Sequence, residues 1–364
     1  MKENTADILK KPGLYKYRAV IGFDASYDVI ARVVKSKNGS DTQYFSRIEE
    51  FGEYLVSKKE LSCALEVEPF QRKIGGNMPI LSSALSNLGV GVHSVGALGY
   101  PHVSSIFESF ALEFTGFSIG EPSECLALEF EDGKVMLFQN TLHEISWERI
   151  KETIGCGQLI EVFNQADIFG LLNWSEIKKS NEIWQGLLAE VLPFLNAKKR
   201  LALFDFADCS MSDPEELRTG LSYVHDFQKY ATVVLSLNEN EAERLFSVLK
   251  EGEENNAGEA EGIGGFIRHS LEIDHVVIHK AKAAFAWSRA GHYVYESEFY
   301  TPTPKVSTGG GDNFNAGLCA GLMLGMEMGE VLRLASAVSA FYVQSGKSPE
   351  IEELLGFIKE KKIT

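Results

Sequence analysis

Residues 305–317 read KVSTGGGDNFNAG, and they are the most informative part of the chain. Three consecutive glycines, at 309–311, remove every Cβ where the backbone turns. The small, apolar run 316–328 then predicts a helix, so the glycine amides would lie at its N-terminus, which attracts anions such as phosphate. Asp312 would repel such an anion unless its role is to take a proton from the group that attacks the phosphate.

A flexible turn is the alternative interpretation of this segment. A Gly-Gly-Gly-Asp run also occurs where a loop enters a helix and the aspartate serves only as the N-cap. The choice between an ordinary loop and a phosphate site therefore depends on the rest of the sequence.

The charge balance favours a small-molecule substrate. The 364 residues include 51 acidic and 35 basic side chains, a net charge of −16 that argues against nucleic acid or an anionic membrane as partner. The five cysteines are scattered and form no Cys-x-x-Cys pair, so neither a disulfide framework nor a zinc site is indicated. Because the N-terminal residues contain no apolar signal core and no apolar run is long enough to cross a bilayer, we expect a cytoplasmic protein.

The first half of the chain combines a buried strand with two hairpins. Residues 17–23 form an apolar, β-rich run that predicts the first strand. Segments 29–45 and 126–138 alternate apolar and polar residues around turn signals, as hairpins do. Hairpins inserted between strand–helix units suggest a small sheet standing off the main domain, so we expect a β-sheet lid formed by 26–47 and 113–142.

The second half alternates regularly between strands and helices. Strands are predicted at 168–172, 201–204, 232–237 and 275–278. This pattern indicates a doubly wound, mainly parallel sheet, and we expect a single α/β domain over 1–364. Polar residues follow three of the strands: Asn173, then Asp205 with Asp208, then Asn238 with Glu239 and Glu241. Each could be a turn former or a helix cap, but together they predict a ligand site at the carboxyl edge of the sheet.

The remaining elements complete this picture. Helices are predicted at 48–61, 80–88, 316–328, 330–341 and 351–358, a further hairpin at 283–295, and a solvated loop at 251–262. Gly75, Gly76 and Asn77 precede the helix at 80–88. Glycines there permit close approach of a ligand to the backbone, although a Gly-Gly pair is also common in ordinary loops.

The order of these motifs resembles the ribokinase-like (phosphofructokinase-B-type) family of carbohydrate and nucleoside kinases over nearly the full length. The resemblance is carried by Gly309-Gly310-Gly311-Asp312, preceded by a hairpin and followed by a small-residue helix, and by Gly75-Gly76-Asn77 far upstream. It implies a ribokinase-like fold and transfer of the γ-phosphoryl group of ATP to a sugar hydroxyl. The glycines would form an anion hole and Asp312 would be the base.

The resemblance also assigns roles to residues outside the glycine segment. Asn238-Glu239-Asn240-Glu241 is similar to the family's Asn-x-x-Glu motif, which implies that Asn238 and Glu241 hold Mg²⁺ and the phosphates through water. On the substrate side it implies Asp28, Gly75, Gly76 and Asn77, and we expect the strand-end residue Asn173 there as well. On the phosphate side we also expect Thr308 and Asn315. The adenine pocket would lie between residues 279–287 and the helix containing 335–341.

Three departures from the family pattern concern the substrates rather than the chemistry. Val306 stands where the family often has an aspartate that contributes to a monovalent-cation site, which argues against potassium activation. Ile80 replaces a usual sugar-binding asparagine, and Tyr100-Pro101-His102 replaces an acidic pair.

Three other functions remain open on the sequence. A nucleoside kinase would differ only in its acceptor, and a binding or regulatory relative would have kept the fold without the activity. A dinucleotide-dependent oxidoreductase is disfavoured because no Gly-x-Gly-x-x-Gly follows the first strand. The expected partners are ATP and a sugar or nucleoside, with a homodimer through the lid edge as a further expectation.

Overall fold

The computed structural model of the chain describes residues 13–39, 41–139, 141–251, 262–306 and 308–361. Most of the predicted loop at 251–262 lies outside the described residues. The strands are β1 (Arg18–Phe23), β2 (Ser26–Asn38), β3 (Asp41–Tyr44), β4 (Val67–Gly75), β5 (Gly91–Gly96), β6 (Thr115–Ser118), β7 (Ser123–Phe130), β8 (Gly133–Gln139), β9 (Ile168–Leu171), β10 (Leu201–Phe204), β11 (Thr232–Asn238), β12 (His275–His279), β13 (Ala283–Ser288) and β14 (Gly291–Glu296). The helices are α1 (Ile48–Ser57), α2 (Asn77–Asn87), α3 (Glu108–Glu113), α4 (Trp147–Thr153), α5 (Cys156–Gln165), α6 (Ser180–Glu190), α7 (Pro214–Asp226), α8 (Glu239–Lys250), α9 (Gly262–Leu271), α10 (Gly310–Met323), α11 (Met328–Ser345) and α12 (Ile351–Lys361).

A nine-stranded sheet forms the centre of the molecule. Its strand order is β14-β13-β12-β11-β10-β9-β1-β5-β6. Along this order the strands from β12 to β6 run parallel, whereas β13 runs antiparallel to both of its neighbours, β12 and β14. Strands such as β1 and β9 are buried along almost their whole length because helices cover both faces of the sheet. The predicted α/β, doubly wound architecture is confirmed.

A smaller, five-stranded sheet stands beside the main one. Its order is β3-β2-β7-β8, with β4 also paired to β2. The long strand β2 runs antiparallel to β4 and parallel to β7, so it joins the two predicted hairpins. Helix α1 packs against this sheet in a separate apolar cluster that contains Phe45, Phe51 and Phe130. The smaller sheet therefore has its own core.

The boundaries of the smaller sheet differ from the prediction. Strand β6 pairs with β5 in the main sheet, so the segment assigned to the lid begins at β7 and not at residue 113. Strand β4 belongs to the smaller sheet and was not predicted. Its central residues 68–72 are all exposed, and Pro69 interrupts the pattern, so the segment lacks the alternation typical of strands.

Helix α10 also begins earlier than predicted. It starts at Gly310 rather than at residue 316, and it ends at Met323. Small residues along it allow close packing against α11, because a Cβ on Gly317 would lie 2.6 Å from the Cα of Ala335. Tight packing of α10 and α11 compensates for the low helix propensity of the glycines and places the start of α10 at the edge of the sheet.

The position of α10 brings its N-terminus to the carboxyl ends of the parallel strands. Strands β1, β9, β10 and β11 all end at this edge, and polar residues follow each of them.

Within the described ranges, no helix combines the length and apolar character needed to cross a bilayer.

Candidate active site

The glycine turn, defined here as the described residues 305–306 and 308–311, leads directly into α10. Gly309 is the N-cap of the helix and has a left-handed backbone with φ of 90°. A Cβ on Gly309 would lie 2.7 Å from the hydroxyl oxygen of Tyr342, so both the backbone and its neighbour require glycine. The carbonyl of Thr308 accepts a hydrogen bond from that hydroxyl at 3.1 Å, while the Thr308 side chain is exposed. The amides of Gly310 and Gly311 lie in the first helical turn.

Asp312 is the third residue of α10 and its side chain is buried, with only 7% of its surface exposed. Its Oδ1 atom has no hydrogen-bond partner among the described residues. Burial raises the pKa of Asp312 well above its ordinary value, and the charges of Asp205 and Asp24 add to the increase, against an opposing contact with the Asn77 side chain. A buried carboxyl group with one oxygen lacking a partner is typical of a functional site.

Asp24, directly after β1, is a second buried carboxylate at this edge. It accepts hydrogen bonds from the backbone amides of Asn77 at 2.7 Å and Met78 at 2.9 Å, at the start of α2. It also accepts one from Nδ2 of Asn173 at 3.1 Å. Burial raises the pKa of Asp24, and these three donors oppose that shift. Asp24 therefore holds two of the residues expected on the substrate side.

Asn173 follows β9 and has a left-handed backbone with φ of 56°. Besides Asp24, its Nδ2 atom donates to Glu176 at 3.1 Å, and its buried Oδ1 atom has no partner in the described part of the chain. Burial raises the pKa of Glu176, and the nearby charge of Asp24 adds to it. An unpaired amide oxygen beside two carboxylates presents hydrogen-bond acceptors to any hydroxyl group that enters.

Asp205 follows β10 and connects the sheet to α10. It accepts hydrogen bonds from the backbone amide of Ala207 at 2.9 Å and from Nδ2 of Asn315 at 2.8 Å. Burial raises the pKa of Asp205 despite these donors. Asn315, predicted on the phosphate side, is thus fixed by a strand-end carboxylate. Asp208 differs, because it is exposed and the hydrogen bond to Ser210 lowers its pKa.

Asn238 and Glu241 form a capping box at the start of α8. The Asn238 side chain accepts from the Glu241 amide at 2.9 Å, and the two carboxylate oxygens of Glu241 accept from the Asn238 amide at 2.8 Å and from its Nδ2 at 2.5 Å. Burial raises the pKa of Glu241, as does the charge of Asp205. Both carboxylate oxygens already have donors, so a metal contact through water suits this residue better than direct coordination.

Gly75, Gly76 and Asp28 lie where the two sheets meet. A Cβ on Gly76, whose φ is 92°, would lie 2.8 Å from Oδ2 of Asp24. A Cβ on Gly75 would lie 3.7 Å from Oδ1 of Asp28. Burial raises the pKa of Asp28, and the charge of Lys73 on β4 lowers it. The glycine pair therefore runs close to both aspartates, and side chains there would fill the space beside them.

A cavity of about 410 Å³ opens beside the glycine turn at Gly311. It lies between residues 279–281 at the end of β12 and the face of α11 that carries Ser336 and Ser339. Burial lowers the pKa of His279 to about 4, so its ring is neutral and packs on Phe314 at 4.8 Å between ring centres. The cavity occupies the region predicted for the adenine pocket.

The sequence model of the prokaryotic ketohexokinase family matches residues 12–361. The chain belongs to the prokaryotic ketohexokinase family. It is 28% identical over 353 residues to ketohexokinase from Haloferax volcanii, a match that covers 93% of this chain and 90% of that protein. This family membership places the chain among the carbohydrate kinases.

Solved structures with low sequence identity share the ribokinase fold of this family member. The ATP-bound fructokinase from Xylella fastidiosa is 17% identical with a TM-score of 0.64, covering 96% of this chain and 100% of its own. A putative ribokinase II from E. coli in complex with ATP and Mg²⁺ is 15% identical with a TM-score of 0.64, covering 94% and 99%. The nucleoside kinase from Burkholderia thailandensis in complex with inosine is 16% identical with a TM-score of 0.62, covering 94% and 98%.

In this ketohexokinase-family chain, sequence reasoning overlooked Asp24 as a site residue. The aspartate expected on the substrate side was Asp28, which the family resemblance implies, and no role was assigned to Asp24. Asp24 satisfies the rule that identified Asn173 and Asp205, since it directly follows an apolar strand at the carboxyl edge of the sheet. Applying the rule to the first strand would have found it.

Proposed function

We propose that this chain transfers the γ-phosphoryl group of ATP to a hydroxyl group of a ketohexose, with Asp312 as the base. The observation that carries the proposal is the buried carboxylate of Asp312, whose Oδ1 atom lacks a partner among the described residues and which lies in the first turn of α10. Membership of the prokaryotic ketohexokinase family supports the acceptor class.

The chemical step assigns a role to each part of the glycine turn. Asp312 accepts the proton of the acceptor hydroxyl while the hydroxyl oxygen bonds to the γ-phosphorus and the bond to the β,γ-bridging oxygen breaks, releasing ADP. The amides of Gly309, Gly310 and Gly311, with the N-terminus of α10, stabilise the charge on the transferred group. Loss of one such donor costs about 3–4 kcal/mol at comparable sites.

The acceptor side is proposed to consist of Asp28, Gly75, Gly76, Asn77 and Asn173, with Asp24 holding Asn77 and Asn173 in place. Carboxylate and amide oxygens suit the hydroxyl groups of a sugar, which donate hydrogen bonds. The two glycines allow the backbone to approach the acceptor closely.

The phosphate side is proposed to include Thr308, Asn315, Asn238 and Glu241, with the adenine group in the cavity beside Gly311. In the described part of the chain, no group of three or more His, Cys, Asp or Glu residues is arranged to hold a metal ion. On this proposal Mg²⁺ arrives with ATP and is held through water by Glu241, whose two carboxylate oxygens already accept hydrogen bonds from Asn238. When bound, Mg²⁺ neutralises charge on the phosphates.

The proposal is tested by measuring ADP release with ATP and Mg²⁺ over a panel of ketohexoses, aldohexoses and nucleosides. We expect a ketohexose to give the highest kcat/KM. A nucleoside as the best acceptor would indicate a nucleoside kinase, and nucleotide binding without turnover on any acceptor would indicate a regulatory relative.

The role of Asp312 is tested by Asp312→Asn. Loss of a general base typically lowers the rate 10²–10⁴-fold, so we expect kcat to fall on the order of a thousandfold. The matched control is Asp226→Asn, which removes an exposed carboxylate paired with Lys229 and leaves the rate unchanged. An undiminished rate for Asp312→Asn would show that another group accepts the proton.

A further inference from the structure

The C-terminal half of α11 is bonded to the glycine turn by a row of hydrogen bonds. They run from the Lys305 amide to the Val343 carbonyl (2.8 Å), from the Val306 amide to the Val343 carbonyl (3.2 Å), from the Tyr342 hydroxyl to the Thr308 carbonyl (3.1 Å), from the Ser339 hydroxyl to the Gly310 carbonyl (2.8 Å), and from the Lys305 ammonium to the Ser345 carbonyl (3.0 Å). The backbone of the turn is thus fixed by a helix that contributes no residue to the proposed chemistry.

Two of these bonds are accepted by the carbonyls of Thr308 and Gly310. Each carbonyl shares its peptide group with an N–H, of Gly309 or Gly311, that is proposed to bind the transferred phosphoryl group. In a planar, trans peptide the carbonyl and the amide of the next residue point in opposite directions. A donor that fixes the Thr308 carbonyl therefore also fixes the direction of the Gly309 N–H. In the same way, the Ser339 hydroxyl, which donates a hydrogen bond to the Gly310 carbonyl, fixes the direction of the Gly311 N–H.

Tyr342 has the tighter fit of the two hydroxyl residues. Its side chain is buried, and its hydroxyl oxygen lies 2.7 Å from the position that a Cβ on Gly309 would occupy. The phenol thus both bonds the peptide before Gly309 and fills the space beside it. Ser339, in contrast, also lines the cavity beside Gly311, so its substitution would alter two features together.

We propose that Tyr342 is a positioning residue that orients the amides of the glycine turn toward the transferred phosphoryl group, with Ser339 doing the same for the Gly311 amide. The inference rests on the proposed function, because it requires that these amides bind the phosphoryl group. A preorganised donor is effective in catalysis because it needs no reorganisation when charge develops.

The first test is Tyr342→Phe, which removes one hydroxyl and keeps the ring. We expect kcat to fall on the order of tenfold, with the KM values for ATP and for the acceptor changed less than about twofold, because the lost orientation affects charge that develops in the transition state. The matched control is Tyr223→Phe on α7, a partly buried tyrosine for which we expect no change. A lower melting temperature with unchanged kcat would reduce Tyr342 to a structural residue and overturn the proposal.

A double-mutant cycle tests the contact itself. Gly309→Ala places its Cβ against the Tyr342 hydroxyl, whereas in the Tyr342→Phe background that oxygen is absent. We therefore expect Gly309→Ala to cost several-fold less in kcat when combined with Tyr342→Phe than in the native chain. If the losses in kcat of the two single variants simply multiply in the double variant, the Tyr342 hydroxyl does not constrain the backbone at Gly309, and the proposal fails.

A binding measurement separates this proposal from the kinase assignment. ADP with aluminium fluoride mimics the transferred phosphoryl group, so we expect Tyr342→Phe to weaken its binding about tenfold while binding of ADP alone is unchanged. Equal losses for ADP alone and for ADP with aluminium fluoride would overturn the positioning role. A native chain that binds both but phosphorylates no acceptor would overturn the kinase assignment and leave the positioning role supported.

Discussion

At the scale of single residues, Asp312 links activity to stability through its raised pKa. The folded state holds the proton of this carboxyl more strongly than the unfolded state does. Its stabilising contribution is therefore complete below the unfolded pKa, near 3.9, and is lost as the pH rises through the folded value. When no substrate is bound, burial of this carboxyl group therefore lowers the free energy of unfolding at neutral pH.

We accordingly expect Asp312→Asn to raise the free energy of unfolding at pH 7.5, since asparagine cannot ionise. The gain should shrink as the pH is lowered toward 4. Urea unfolding at several pH values, without nucleotide, measures it. A gain that grows as the pH falls would contradict the raised pKa of Asp312.

Replacing Gly311 and Gly317 of helix α10 by alanine should have different effects on stability. A Cβ on Gly311 would meet only His279, at an ordinary contact distance of 3.4 Å, whereas a Cβ on Gly317 would lie 2.6 Å from backbone of α11. We expect Gly311→Ala to fold with a normal melting temperature but to lose activity, because its methyl group lies beside the cavity. Gly317→Ala should lower the melting temperature, and equal melting temperatures for the two variants would contradict this packing.

At the scale of elements, helix α2 is expected to link stability with acceptor binding. Asp24 caps its first two amides and also holds Asn173. Asp24→Ala should cost about 1–2 kcal/mol, the usual effect of losing a cap, reduced where relief of the buried charge offsets it. We also expect the KM for the acceptor to rise, measured in the ADP-release assay.

Asp213 offers a matched control for the Asp24 variant. It caps α7 with two similar bonds, to the amides of Glu215 at 2.9 Å and Glu216 at 3.1 Å, but it is exposed and makes no contact with Asn77 or Asn173 among its hydrogen bonds. Asp213→Ala should lower stability to a similar extent and leave the KM unchanged. A rise in KM for both variants would mean that the KM responds to stability and not to the position of Asn77 and Asn173.

The same elements show what a sequence can predict. The strand ends at Asn173, Asp205 and Asn238 were identified because each signal is local, an apolar run followed by a polar residue. The contact from Asp24 to the start of α2 spans 53 positions in the chain, and no local pattern reports it. Strand β4 was missed for a related reason, since its polar residues form a strand only because β2 is there to pair with them.

At the scale of the whole molecule, the smaller sheet exposes an apolar surface. Leu137 and Phe138 on its edge strand β8 are 52% and 61% exposed, and neighbouring residues of a strand point to opposite faces. Phe70 on β4 is also 49% exposed. An edge strand that is apolar on both faces invites pairing with another strand, and a second copy of this chain offers the same surface. We therefore propose a homodimer through the smaller sheet.

The dimer is tested by light scattering after size-exclusion chromatography. We expect the native chain to have twice the monomer mass and Phe138→Glu to have the monomer mass, because a charge placed in a desolvated interface is unpaired. The control is Val294→Glu, which places the same charge on β14, at the edge strand of the main sheet, where Val294 is 54% exposed. A monomeric native chain, or a dimer lost equally in both variants, would exclude the smaller sheet as the interface. If the dimer forms there, the partner would restrain the sheet that carries Asp28, and Phe138→Glu should also raise the KM for the acceptor.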